Sequence, residues 1–158
     1  MESKAKPRKK NIYSQELGID LTSGEEGLFK WFLACLLFGK PIQQEVAKRT
    51  YFEFAKEGIT SPEEILKAGW DKLVEILDRG HYVRYDFSTA TKLLEISKEL
   101  KRKYGSLREL FRQSKNLREA ELKLQEFKGI GPATTRIFLR GLKGSSRKGI
   151  VACPPESR

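Results

Sequence analysis

The stretch FKGIGPATTRIFLRGLK, residues 127–143, breaks one helical pattern and restarts another at once. Gly129 and Gly131 permit backbone dihedrals closed to other residues and let the chain approach another molecule closely. Ile130 between them is placed to point inward and pin two helices together. Pro132 restarts the helix at a position where its missing N–H would be unpaired anyway. The amides of Gly131, Ala133 and Thr134 then lie near a free helix N-terminus, where unpaired N–H groups and the helix dipole favour an anion. Lys128 and Arg136 add charge, and Thr134 or Thr135 can offer a hydroxyl. A bare GxG is an ordinary turn. Here the spacing, the apolar helices on both sides and the basic surroundings favour a site for a nucleic-acid phosphate, read without regard to sequence.

The charge distribution points the same way. The chain has 158 residues and a net charge of +10. Residues 98–148 hold 15 Lys and Arg against 5 Glu, and the remainder carries 16 of each sign. All the excess therefore lies around the glycine turn, which suits a polyanion. A lysine-rich solvated surface is the plain alternative.

Working outward, the length fits one domain, and 39% hydrophobic with 33% charged residues supports a core. No apolar run is long enough for a transmembrane helix, and no apolar segment follows the basic N-terminus as in a secretory signal. Cys35 and Cys153 form neither a disulfide framework nor a zinc site, so a reducing, cytoplasmic setting is expected. Residues 1–22 read as a basic, flexible segment. Helices are expected over 25–38 (apolar nearly all round, hence central), 43–56, 61–69, 71–79, 86–104, 106–112, 116–127 and 132–142. Ser61-Pro62-Glu63-Glu64 is a capping signal, which accounts for its paired carboxylates. Trp31 and Trp70 fall on apolar faces and are expected in the core. Residues 81–85, HYVRY, form an aromatic and basic loop in which His81 and Tyr85 are expected to seal a helix junction. The pattern is all-α, about eight helices with short loops over 23–142 and an irregular tail over 143–158; an orthogonal bundle or barrel ending in a helix–hairpin–helix at 116–142 is what a resemblance to a known family, carried by these same residues, implies.

FKGIGPATTRIFL resembles the helix–hairpin–helix of the endonuclease III-like DNA glycosylase superfamily, whose motif runs roughly L-P-G-[VI]-G-x-x-T-A. Upstream, FLACLLFGKPIQQEVAKRTYFEF and WDKLVEILDRGHYVRYDFSTATKLLEISKELKRKYG are similar to that family in pattern and order, so the resemblance spans about Leu28 to Leu142. It implies a base-excision repair protein that binds double-stranded DNA, flips a damaged base and cuts its glycosidic bond. The implied phosphate-binding residues are Lys128, Gly129, Ile130, Gly131, Ala133, Thr134, Thr135 and Arg136. A monovalent cation on the hairpin's backbone carbonyls is implied too. Lys40, in LLFGKP, falls on the loop that fills the gap left by a flipped base; a solvated lysine after a helix cap is an equal reading. Tyr82 and Arg84 are further candidates for gap filling or backbone contact.

The sequence also departs from the family. Bifunctional members carry a Schiff-base lysine where Ala133 stands, so a monofunctional glycosylase is expected rather than a lyase. The aspartate that stabilises the developing sugar cation should fall near Val151, where no carboxylate stands before Glu156 and Cys153, a neutral thiol, is no substitute for one. The four-cysteine iron–sulfur cluster is not expected, nor any small-molecule cofactor. The composition changes after Leu142, which reads as a fragment, a shifted frame or a naturally short binder. The alternatives to a glycosylase are a non-catalytic helix–hairpin–helix DNA-binding module and a helical protein-interaction domain.

Overall fold

The computed structural model describes residues 14–21 and 24–145, and among these every regular element is a helix. A 3-10 turn at Ser14–Leu17 precedes α1 (Glu25–Phe38), α2 (Gln44–Glu57) and α3 (Pro62–Arg79). A second 3-10 turn (Val83–Tyr85) leads into α4 (Asp86–Lys103), α5 (Leu107–Arg112), α6 (Leu117–Gln125) and α7 (Pro132–Ser145).

α1 is the centre. Its residues from Trp31 to Leu37 are all buried, and α2, α5 and α7 pack around it. Such a helix has no solvated face because its sequence has almost no polar side chain to put there. α3 lies against α2 and α4, and α5, α6 and α7 follow one another along the remaining side. α7 is fastened to α1 by a hydrogen bond from Trp31 Nε1 to the Phe138 carbonyl at 3.1 Å. The Phe138 ring stands edge-on to Phe32 with centroids 5.4 Å apart and lies 6.1 Å from that of Phe111 on α5. Buried rings of this size contribute roughly 1.5–3 kcal/mol each by area removed from water. Cys35 is fully buried among these side chains, and burial pushes its thiol well above the ordinary range. Cys153 lies outside the described residues.

Helix starts follow the capping residues. The side chains of Ser61, Ser106 and Asn116 accept from the amides of Glu64, Glu109 and Glu119 at 3.1, 3.1 and 3.0 Å. Glu25 does more than sit at the start of α1. Its carboxylate accepts from the Leu107 and Arg108 amides at 3.2 and 2.9 Å, so it caps α5 from outside the segment, and burial raises its pKa.

α3 is interrupted at Gly69, whose φ of 81° and ψ of 168° are not helical, so helical segments stand either side of it where two helices were expected. Trp70 departs from expectation, because that break rotates it out of the core: it is 38% exposed, its ring lies 5.1 Å from Phe87, and its Nε1 donates to Thr91 Oγ1 at 3.0 Å. The described residues hold seven helical elements, or eight helical segments with α3 divided at Gly69. Leu122 on α6 is exposed, while Leu124 of the same helix is buried. No described helix is long and apolar enough to cross a membrane.

Candidate nucleic-acid interface

The glycine turn is built from the end of α6. The Phe127 amide donates to the Leu124 carbonyl at 3.2 Å, and the Ile130 amide returns to the Phe127 carbonyl at 3.1 Å. Phe127 and Ile130 are both buried at 5% exposure, which anchors the turn to the core on each side of its tip. The tip, Lys128 and Gly129, is exposed, and Gly129 has φ 95°. On the far side the Gly131 carbonyl accepts twice from Thr135, from its amide at 3.1 Å and its hydroxyl at 2.9 Å. α7 thus begins at Pro132 with Ala133 and Arg136 exposed. The first amides of a helix have no carbonyl partner within it, so this end is a partial positive pole facing solvent.

The two threonines do not serve as hydroxyl donors at this surface. Thr135 spends its hydroxyl on Gly131. Thr134 is buried, with its hydroxyl against the α-carbon of Gly39. That contact brings the α1–α2 loop, and Lys40 with it, beside the start of α7. Lys40 in turn lies over the Tyr85 ring, its Nζ 5.1 Å from the centroid, and the Arg84 guanidinium lies 5.6 Å from the same centroid. The structure therefore gathers Lys40, Arg84 and the glycine turn around α4, although they are far apart in sequence.

Tyr82 does not join them. It is fully buried, and its hydroxyl donates to the Leu37 carbonyl. Loss of solvent holds its phenol well above the ordinary range. The sealing role expected of Tyr85 falls mainly to Tyr82, because the 3-10 turn directs Tyr82 inward and leaves Tyr85 half-buried under two cations. His81 sits at φ 68° on the surface, with Nδ1 3.0 Å from Arg49 Nη1.

Sequence reading missed Lys92. It lies on α4 with its chain laid across the turn: a Cβ placed on Gly129 would stand 2.8 Å from Lys92 Cε, 2.9 Å from Cγ and 3.0 Å from Cδ. Glycine at 129 is favoured by its dihedral, and any side chain there would push the Lys92 chain aside. Burial pushes the Lys92 pKa down to about 8, helped by the positive charge of Lys40 within hydrogen-bonding reach. In sequence Lys92 is an unremarkable polar position of an amphipathic helix, and only the tertiary contact reveals it.

A groove between α6 and α7 extends the basic surface. Arg118, Arg136 and Arg140 line it with Leu117 and Leu139, and Glu121 also borders it. Other basic residues of this region are neutralised locally: Lys103 pairs with Glu126 at 3.4 Å and Lys123 with Glu119 at 3.5 Å. Among the described residues no group of His, Cys, Asp and Glu is arranged to hold a metal ion.

No family model, no curated protein and no solved structure matches the chain.

Proposed function

We propose that the protein binds double-stranded DNA by presenting the start of α7 to a backbone phosphate, with α6, the glycine turn and α7 acting as a helix–hairpin–helix within an orthogonal helical bundle. The observation that carries this reading is the turn itself. Its apolar residues face inward, its glycines leave the tip bare, and the exposed N-terminus of α7 lies between Lys128 and Arg136. Backbone amides grip a phosphate whatever the base sequence, so the contact positions the duplex and carries no sequence information of its own. A monovalent cation at the turn would share its backbone oxygens. The Gly131 carbonyl already accepts two hydrogen bonds, so residues 127–130 would be its available backbone ligands.

The wider role we propose is base-excision repair, as an N-glycosylase of the endonuclease III-like type or as a binding module derived from it. Ala133 provides no amine at the start of α7, and Glu126 at the turn is engaged by Lys103. Binding is thus the better supported half of the proposal. The region where the catalytic aspartate was expected lies outside the described residues.

Gly131 supplies a clean test. A Cβ there would meet nothing within 4 Å, and its φ is not in the left-handed range, so a larger side chain fits the fold. The same side chain would hold a phosphate away from the amides. Gly131→Phe should retain the parent's thermal midpoint and lose about tenfold or more in duplex affinity, read by fluorescence anisotropy at fixed salt. Unchanged affinity would overturn the phosphate site. Release of free base from a panel of damaged duplexes separates glycosylase from binding module.

A further inference from the structure

We propose that Lys40, Arg84 and Lys92 form an anion site that holds a phosphate dianion, supplied by the terminal phosphate of a broken nucleic-acid strand or by the free ion. The strand-end source rests on the DNA-binding reading above; the site itself does not.

Three cations converge here and no acid answers them. The Lys40 ammonium and the Arg84 guanidinium meet at the Tyr85 ring, 5.1 and 5.6 Å from its centroid. The Lys92 chain lies against Gly129, which limits where its amine can go, and that place is within hydrogen-bonding reach of Lys40. Among the described residues none of the three pairs with a carboxylate. Asp86 is next to Tyr85 in sequence but is engaged elsewhere. Its Oδ1 accepts from the Phe87 amide at 2.6 Å, and its carboxyl meets that of Asp78 on α3. By contrast Lys101, Lys103 and Lys123 each pair with a glutamate.

Two ammonium groups have only donors to offer each other, so their approach is repulsive until an acceptor stands between them. Burial pushes the Lys92 pKa down to about 8, and the charge of Lys40 adds to the fall. An anion bound between the two amines relieves that repulsion. The chemistry of the donors selects the anion. A carboxylate or a phosphodiester brings a single negative charge to three cations. A terminal phosphate brings nearly two charges at neutral pH and three acceptor oxygens, enough to engage both ammonium groups and the guanidinium together. The cluster is also beside the start of α7, because Thr134 packs its hydroxyl against Gly39, the residue before Lys40. A strand gripped at α7 by an internal phosphate would therefore present a nearby break to these three side chains.

The test titrates inorganic phosphate into the full chain and follows backbone amide shifts, with chloride at matched ionic strength as the control. Saturable shifts at Lys40, Arg84, Gly129 and Lys92 are expected with phosphate and not with chloride. Lys92→Met keeps an apolar chain against Gly129 and should weaken phosphate about tenfold or more, and Lys40→Met should do the same. The amide dispersion of α1 reports that each variant is folded. Equal shifts with chloride, or undiminished phosphate binding in both variants, overturns the site. Nicked duplexes with a terminal phosphate or a hydroxyl at the break distinguish the two sources. A preference of about tenfold for the phosphate end, lost in Lys92→Met, supports the site with a strand end as its ligand. Equal affinity for the two duplexes with ion binding intact supports the site with the free ion as its ligand. Failure of all duplex binding with ion binding intact overturns only the DNA reading.

Discussion

Gly39 and Thr134 touch so closely that no side chain fits between them: a methyl group on Gly39 would overlap the Thr134 hydroxyl and come within 3.2 Å of the Cys35 carbonyl. Gly39→Ala should therefore cost about 1–3 kcal/mol of stability through overpacking. Removing the opposing hydroxyl makes room, so Gly39→Ala with Thr134→Ala should recover about 1 kcal/mol relative to additivity. Urea denaturation of the two single variants and the double variant measures the coupling. Strict additivity would mean that the two residues do not touch.

A second close approach fixes α7. A Cβ on Gly141 would lie 2.5–2.7 Å from three atoms of the Trp31 indole, which is fully buried and cannot swing away. Gly141→Ala is expected to cost about 1–3 kcal/mol despite alanine's better helix propensity. Trp31 should report the disturbance as a red shift of its emission. A stabilised variant would show that the helix sits farther from Trp31.

Stability should depend on pH through Lys92. Its pKa is about 8 in the folded protein against an ordinary 10.5. Between these values the unfolded chain binds the extra proton, so stability rises as pH increases through this window. Tyr51, raised to about 12 by burial, and Tyr82, raised further, act oppositely: their phenols ionise first in the unfolded chain, so stability falls above their ordinary value of 10. Urea midpoints should peak at about pH 9–10. Lys92→Met should remove the rise on the alkaline side of neutrality and leave the later fall. A parallel curve for that variant would contradict the shift.

Charge at the turn should be legible in salt dependence. Lys128→Glu and Arg136→Glu remove cations flanking the start of α7, and each is expected to lower the slope of log affinity against log salt by about 0.9 for every phosphate it leaves unneutralised. Anisotropy titrations over a salt series give the slopes. Weaker binding without any change of slope would place the damage in folding.

Much of the helical architecture was legible because it depends on local rules. The all-apolar run of α1, the Ser61-Pro62 start of α3 and the break at Gly129–Gly131 each carry their cause within a few residues. Trp70 was misread because it falls between two short helices, where neither helical face fixes its direction, and it packs on Phe87 and Thr91 of α4 instead. Tyr82 was not expected in the core; it immediately precedes a short 3-10 turn whose period differs from that of the flanking helices, and it is fully buried while Tyr85 packs partly against the core. The site was half visible. Gly129, Gly131 and their basic flanks form one contiguous motif. Lys40 was proposed from a resemblance, and Lys92 had no signal, since its significance lies in its packing against a glycine on another element.

The close fit of Gly39 and Thr134 also bears on which partner must change shape. It welds the loop carrying Lys40 to the first turn of α7 through buried backbone and side-chain atoms. The two ends of the basic surface are consequently spaced like marks on a rule. On the proposed reading, a duplex that engaged both would have to bring its own backbone to that fixed interval, so the cost of fitting would fall on the nucleic acid.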